Sequence, residues 1–572
     1  MPFQIFKNLF ILFDKNHKTY TLFIFFIFFL LMLLEMFSVT LFIPLIGFVL
    51  NMNILENSFY IFFKETFNLD LSFILSDLKT FIIFFAFVFL VKSILIIICN
   101  WQKIGFTYKI RKFLTHKIYQ KYLNSPYENF IRGNSSKYLK NINYEINIVS
   151  EALLHILEFF SEIIVIFGIG IFLLSYNFEV SIIVLSIALI FIYLISFFTK
   201  RKIFQLGEKI RILEQFRIQN YLESFNLIKE IKIYNKEDFF VNKDLKFTSD
   251  FLQTDFLFRF IKSIPRVLVE FLLIMIFLVL ILINMKLQNI NYVLEILGVF
   301  AASAFRLMPS SNRIVSSFQS CRYALPSINN IVNEFPSKNN AKNKNQIKQK
   351  LSNFKNNITF SNVSFVYEES KDYIFKNLNL KISKGKIIGV KGKTGSGKST
   401  VINLISGLIY PTEGSIFIDN INYKDLNINT IHKIIGYVPQ NIHLMDTSIR
   451  NNISFCSDKI SIEDINISIE KANLTSFIEQ LPGGIDTIVG EKNHKISGGQ
   501  AQRIGIARAL AKKPSILILD EATNALDLDT EKEIMNGIKK LKGELTIIII
   551  SHDDNTLKVC DEIIDLNKEL IK

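Results

Sequence analysis

The sequence is poor in the residues that staple or punctuate a chain, with four cysteines, eleven prolines and one tryptophan among 572 residues. Cys99, Cys321, Cys456 and Cys560 stand far apart without a CxxC pair. That spacing indicates neither a disulfide framework nor a metal site, and it fits reduced thiols. With 23 glycines and only 20% charged residues, the chain is neither a collagen-like fibre nor a disordered tail. Apolar side chains are abundant instead: half of all residues are hydrophobic and 56 are Phe. The mean hydropathy of +0.32 points to a membrane protein. Lys and Arg number 65 against 51 Asp and Glu, a net charge of +14. Such an excess suits either nucleic acid or anionic lipid, and its position along the chain decides between them.

Lys7, Lys15 and Lys18 precede an apolar stretch at residues 21–50, interrupted by Glu35 and Pro44. It has no small-residue cleavage site and is too long for a signal-peptide core. Further apolar runs lie at residues 81–99, 152–174, 180–198, 267–285 and 292–305. Each is near or somewhat below the roughly 20 residues that cross a bilayer as helix, so the pattern predicts six transmembrane helices. The basic loops give the orientation. Residues 103–140 hold Lys109, Arg111, Lys112, Lys117, Lys121 and Arg132, and residues 200–262 are similarly rich, whereas 176–179 and 286–291 are short. Both termini are then expected in the cytosol. The positive excess lies on the inner face of a membrane, which argues against nucleic acid as a partner.

The basic segments keep a helical apolar rhythm, as in Ile210, Leu213, Phe216, Tyr221 and Phe225, so the membrane helices are expected to continue into the cytosol. Residues 125–127 and 233–235 interrupt that rhythm with turn-forming chemistry. Each is either an ordinary loop or a short helix that docks on a cytosolic domain. A Lys/Asn-rich stretch at residues 337–350 is too polar to pack and reads as a linker. The expected organisation is a helical transmembrane domain at 1–325, a linker at 326–355 and a soluble α/β domain at 356–572. In the last, strand-like runs at 387–391, 515–519 and 545–550 alternate with helical ones, the pattern of a nucleotide-carrying sheet.

Gly392-Lys393-Thr394-Gly395-Ser396-Gly397-Lys398-Ser399, followed by Thr400, fits GxxxxGK[ST] between an apolar strand and a helix. Its glycines let backbone N–H groups surround phosphate at a helix N-terminus. Lys398 offers a point charge to the β- and γ-phosphates, and the Ser399 hydroxyl offers a ligand to Mg²⁺. Residues 516–519 are apolar and end in Asp520-Glu521, as a buried strand must if its carboxyl end faces the phosphates. Asp520 is the expected Mg²⁺ ligand, and Glu521 the residue that polarises the attacking water.

Between these segments lies Ile496-Ser497-Gly498-Gly499-Gln500, and with it the chain resembles the ABC transporters, whose signature is Leu-Ser-Gly-Gly-Gln. The resemblance covers nearly the whole chain and implies an α/β phosphate-loop ATPase domain that uses ATP and Mg²⁺. It implies that Tyr367, about 25 residues before the phosphate loop, stacks on adenine. Gln440 matches the glutamine that serves catalysis and Mg²⁺ between the nucleotide and membrane domains, and His552 the histidine that contacts the γ-phosphate. Ala525-Leu526-Asp527 matches a dimer-contact loop, with Asp527 near the nucleotide. Each ATP would lie between the phosphate loop of one subunit and Ser497, Gly498, Gly499 and Gln500 of another, which implies a homodimer. Ile496 replaces the usual Leu, Asn524 a common Ser, and Asp553 a frequent Arg, and none of these removes a catalytic group. Val489-Gly490-Glu491 and the order of membrane helices before nucleotide domain are similar to exporters.

A narrower likeness joins residues 305–314, 264–266 and 34–37 to bacterial lipid-linked-oligosaccharide flippases of the inner membrane. It implies transfer of a polyprenyl-pyrophosphate-linked glycan from the cytoplasmic to the periplasmic leaflet. Lys92, Arg266 and Arg306 lie in apolar spans, where a charge is costly and faces a cavity or a partner, and Arg313 lies seven residues beyond Arg306 on nearly the same helix face. These four are the expected substrate contacts, with Glu35 and Glu270 available to neutralise some of them. Residues 51–79, acidic yet rich in Phe, suit either a bilayer surface or packing against neighbouring helices. An exporter of another amphiphile, such as a lipid A-like lipid, a peptide or a drug, is the nearest alternative; an ATP-gated membrane module is another.

Overall fold

The computed structural model describes residues 2–49, 77–284, 290–335, 349, 351, 354–367, 372–393, 395–490, 496–522 and 528–569. The chain divides into two units, one of residues 1–125 and 133–341, the other of residues 126–132 and 342–572.

The first unit is helical throughout its described residues. Its long helices are Lys15–Thr40, Leu78–Leu123, Ile146–Tyr176, Phe178–Asn226, Glu237–Asn284 and Ile290–Glu334. Lys15–Phe48, Leu78–Leu123 and Ser135–Tyr176 are long and apolar enough to cross a membrane. The other three expected spans fall on Phe178–Asn226, Glu237–Asn284 and Ile290–Glu334, helices much longer than the spans themselves, apart from residue 285, which lies outside the described residues. Nearly unbroken Leu, Ile and Phe lets both faces of a helix stay apolar. On Leu78–Leu123 one face packs inward through Phe81, Val88 and Cys99, while Ile83, Phe87, Leu90 and Ile97 point outward. The short connection expected at 176–179 is a single capping residue, Asn177, whose side chain accepts from the Val180 N–H at 3.2 Å. The extensions of the long helices also cohere: Phe106, Ile110 and Ile118 are buried with Ile146, Ile156, Ile328 and Ile331.

The transmembrane domain does not end at residue 325. Helix Ile290–Glu334 continues, because Ile328 and Ile331 are fully buried in the same core. Residues 326–334 of the expected linker belong to this helix.

Among its described residues the second unit carries eleven strands: β1 Asn357–Phe365, β2 Phe375–Ser383, β3 Ile387–Lys391, β4 Glu413–Ile418, β5 Ile421–Asn422, β6 Ile435–Val438, β7 Thr447–Ser448, β8 Ile488–Val489, β9 Ile516–Asp520, β10 Thr546–Ile550 and β11 Glu562–Asp565. A parallel sheet runs in the order β11-β3-β10-β9-β6, and an antiparallel one in the order β2-β1-β4-β5. The inner parallel strands β3, β10 and β9 are buried on both faces, as continuous runs such as Ile516–Asp520 and Thr546–Ile550 require. Side chains two apart share a face. Ile516, Ile518, Ile548 and Ile550 accordingly join one core with the antiparallel sheet and helix Lys398–Ile405. Leu517, Leu519, Ile547 and Ile549 join a second core with helix Gly498–Ala511. The carboxyl ends of β3, β9 and β10 thus open at one edge of the parallel sheet, where α/β folds place their ligands.

Candidate functional site

At the end of β3 the chain turns through the phosphate-loop motif into helix Lys398–Ile405. Gly397 has φ +85°, and a Cβ there would lie 2.4 Å from the Phe375 ring, so only glycine fits. Gly395 has φ +84° with nothing within 4 Å of its missing Cβ. A Cβ at Gly392 would meet Ser396 Oγ at 2.3 Å. Ser396 Oγ is itself buried with no hydrogen-bond partner among the described residues. An open glycine cradle beside an unsatisfied hydroxyl fits a phosphate group. Lys398 is buried, and its Nζ donates to the Gly392 and Lys393 carbonyls at 2.8 and 3.2 Å. Ser399 sits exposed on the first turn of the helix. Thr400 lies behind it, buried, with its hydroxyl 3.4 Å from that of Tyr367. The Tyr367 ring packs edge-on against Phe365 at 4.9 Å and 88°. Thr394 and Asp527 lie outside the described residues, as do Asn524 and Glu491.

The two acids at the end of β9 are held separately. Glu521 has φ +48°, a left-handed conformation that swings its side chain off the strand. One Glu521 oxygen accepts from Gln440 Nε2 at 2.6 Å, and the other lies 3.1 Å from His552 Nε2. The same His552 nitrogen is 2.8 Å from Lys398 Nζ. It accepts from the ammonium when unprotonated and donates to the carboxylate when protonated. Asp520 accepts from the Tyr437 hydroxyl at 3.1 Å. Burial pushes the Asp520 carboxyl above its usual range and the neighbouring Glu521 adds to this, while the Tyr437 hydrogen bond and Lys398 oppose it. Burial lowers Lys398 against the pull of Glu521 and Asp520. Lys398, Asp520, Glu521, Gln440 and His552 are therefore one cluster.

The Ser-Gly-Gly-Gln segment has a local reason for its residues. Ser497 caps helix Gly498–Ala511: its Oγ accepts from the Gln500 N–H at 3.2 Å, while Gln500 Oε1 accepts from the Ser497 N–H at 3.0 Å. This reciprocal capping box fixes both side chains and leaves the glycines at the positive end of the helix dipole.

The first unit encloses a cavity of about 530 Å³ lined by Glu35, Lys92, Lys103, Glu162, Arg306 and Arg313, among apolar neighbours. Lys92 and Arg306 each lie 2.7 Å from a Glu35 oxygen. Arg306 and Arg313 both reach Glu162, at 3.5 and 2.5 Å, and Ser310 Oγ donates to it at 2.7 Å. The spacing of seven thus brings both arginines to one carboxylate. Lys103 is buried, and its ammonium lies 6.0 Å over the Phe28 ring, with no acid at ion-pair distance among the described residues. Arg266 does not line this cavity. It is mostly exposed and pairs with Glu270 one turn away at 3.0 Å, so its charge is met on its own helix. Residues 51–76 of the aromatic segment lie outside the described residues.

Lys103, Glu162, Ser310 and Tyr437 are absent from the sequence-derived sites. Lys92, Ile96, Cys99 and Lys103 all line the cavity at spacings of four, three and four, a helical stripe legible in the sequence. Counting Lys103 as the start of a loop hides it. Glu162, with Glu158 one turn before it, is an acid in the apolar run 152–174, which is itself a signal. Nothing in the sequence signals Tyr437, whose partner is set by strand register.

Residues 375–524 match the family model described as ABC transporter. The lipid A-core flippase of Pasteurella multocida is 39% identical over 216 residues, 38% of this chain and 37% of that protein. The Haemophilus influenzae flippase of the same name is 35% identical over 260 residues, 45% and 43% of the two chains. ABC transporter B family member 14 of Arabidopsis thaliana is 41% identical over 219 residues, 38% and 18% of the two chains. These matches span less than half the length of each relative. A bacterial Atm1-family ABC exporter solved with ATP bound superimposes with a TM-score of 0.79 over 94% of this chain and 93% of that one, at 20% identity. Residues 375–524 are thus part of an ABC nucleotide-binding domain, and the chain has the fold of an ABC exporter, a helical transmembrane domain followed by that α/β domain.

Proposed function

We propose that the protein is an ATP-hydrolysing exporter that moves an amphiphile with an anionic headgroup across a bacterial inner membrane, working as a homodimer. The observation that carries the cargo class is the cavity, where Lys92, Lys103 and Arg306, mostly buried, and Arg313 at its exposed side face two buried carboxylates among apolar walls. A buried excess of positive charge is costly unless an anion completes it. The cavity's apolar walls suit the parts of the ligand next to its charge.

At the nucleotide site, Lys398 and the glycine loop suit a polyphosphate. Ser399, Asp520 and Gln440 would hold Mg²⁺, which when bound neutralises phosphate charge. Glu521, steadied by Gln440 and His552, is placed to take a proton from water.

The finer reading is a polyprenyl-pyrophosphate-linked oligosaccharide, carried by the resemblance of residues 305–314 to flippases of that cargo. A lipid A-like lipid suits the same cavity, and the names of the Pasteurella and Haemophilus relatives favour it. Both present phosphate beside an apolar anchor. Proteoliposomes separate them: ATP-dependent transfer of a polyprenyl-pyrophosphate glycan and of lipid A is measured in parallel. Transfer of the glycan lipid alone supports the first reading, and of lipid A alone the second. Transfer of neither removes the cargo class.

A further inference from the structure

We propose that Tyr437 is a positioning residue for the Mg²⁺ site, its hydroxyl holding one Asp520 oxygen so that the other is presented to the metal. This rests on the ATPase reading above and deepens it. Tyr437 lies on the edge strand β6, directly opposite Ile518 of β9. Side chains two apart share a face, so Asp520 projects on the same side as Ile518, one step further along. An aliphatic residue at 437 is too short to cover that step. A phenol spans it, and the Tyr437 hydroxyl donates to Asp520 Oδ2 at 3.1 Å.

Gln440, three residues on, donates to Glu521 at 2.6 Å. A single exit from β6 therefore carries a separate donor for each of the two acids that end β9. Asp520 is fixed by one and Glu521 by the other, so a shift of residues 437–440 disturbs the metal ligand and the water-activating carboxylate together. Tyr437 is exposed along part of its ring, so its large side chain is not required by the core. Its hydroxyl makes a bond that Phe could not.

Tyr437→Phe tests this, because it removes only the oxygen. Two measurements are made on the full-length protein in detergent or nanodiscs. Mn²⁺ uptake is titrated by electron paramagnetic resonance in the presence of a non-hydrolysable ATP analogue, and the Mg²⁺ concentration for half-maximal hydrolysis is determined at saturating ATP. The expected result is Mn²⁺ affinity weakened about three- to tenfold, with a matching rise in the Mg²⁺ requirement. Binding of the analogue in EDTA should be unchanged. Equal or tighter Mn²⁺ binding in the variant overturns the role of Tyr437, as does a fall in kcat with unaltered metal dependence. Wild-type protein that takes up no Mn²⁺ with nucleotide would overturn the ATPase reading instead, and this role with it.

Discussion

Glu521 is held in a left-handed backbone conformation at φ +48° with both carboxylate oxygens engaged. Glutamate gains nothing from that conformation for stability, and what the conformation does is set the direction in which the side chain points. Glu521→Gln should lower steady ATP hydrolysis by about 10² or more while nucleotide still binds, because an amide takes no proton from water. Hydrolysis and analogue binding measured on one preparation check this. Gly397→Ala should act differently. A methyl group 2.4 Å from the Phe375 ring forces the loop to move, so nucleotide affinity falls and stability drops by more than about 1 kcal/mol. A calorimetric titration and a thermal melt measure the two losses. His432 supplies a third residue-scale effect. Burial, with help from Lys512, lowers its pKa. The unfolded chain then binds the proton more readily, so His432 contributes stability above about pH 6.5 that is lost as pH falls below it. His432→Gln should flatten the decline in melting temperature between about pH 7.5 and 5.5.

At the scale of elements, motifs with local causes were legible and pairings between elements were not. The phosphate loop, the acid pair and the signature were readable because each depends on contiguous residues: a strand, a glycine turn, a helix start. Tyr437 and Asp520 meet only because β6 and β9 are in one register, and Glu162 meets two arginines only because helices Ile146–Tyr176 and Ile290–Glu334 pack together. Arg266 was placed with the cavity because a lone charge in an apolar run is ambiguous; Glu270, one turn on, was the better partner. The capping box gives an element-scale prediction. Ser497→Ala should cost the helix about 1 kcal/mol and release Gln500, read as a lower melting temperature. In the membrane unit, Lys103→Met keeps volume and removes a buried cavity cation with no acid at ion-pair distance among the described residues. Cargo affinity should fall by about tenfold while basal ATP hydrolysis persists, a comparison made in proteoliposomes over a range of lipid concentrations. Arg306→Ala is a poorer probe, since it strips a partner from both Glu35 and Glu162.

The whole molecule, on the proposed reading, acts in pairs, because the phosphate loop and the signature would belong to one site only across two chains. A heterodimer of Lys398→Ala and Ser497→Arg chains puts both lesions in one composite site and none in the other. It should hydrolyse ATP faster than either variant's homodimer, which has a lesion in each site; differentially tagged, tandem-purified dimers allow the comparison. The length of the helices bears on how such a pair works. Leu78–Leu123 is a continuous helix of 46 residues. At about 1.5 Å per residue it is roughly 69 Å long, against a hydrocarbon thickness of about 30 Å. About 40 Å of stiff rod therefore extends beyond the part that lipid surrounds. A tilt of about 5° within the bilayer displaces the far end by roughly 3.5 Å, on the order of one hydrogen-bond length. The helix is a lever: small rotations around a charged cavity become, at its tip, movements large enough to make or break a polar contact, and the reverse stroke returns angstroms at the tip as degrees at the cavity.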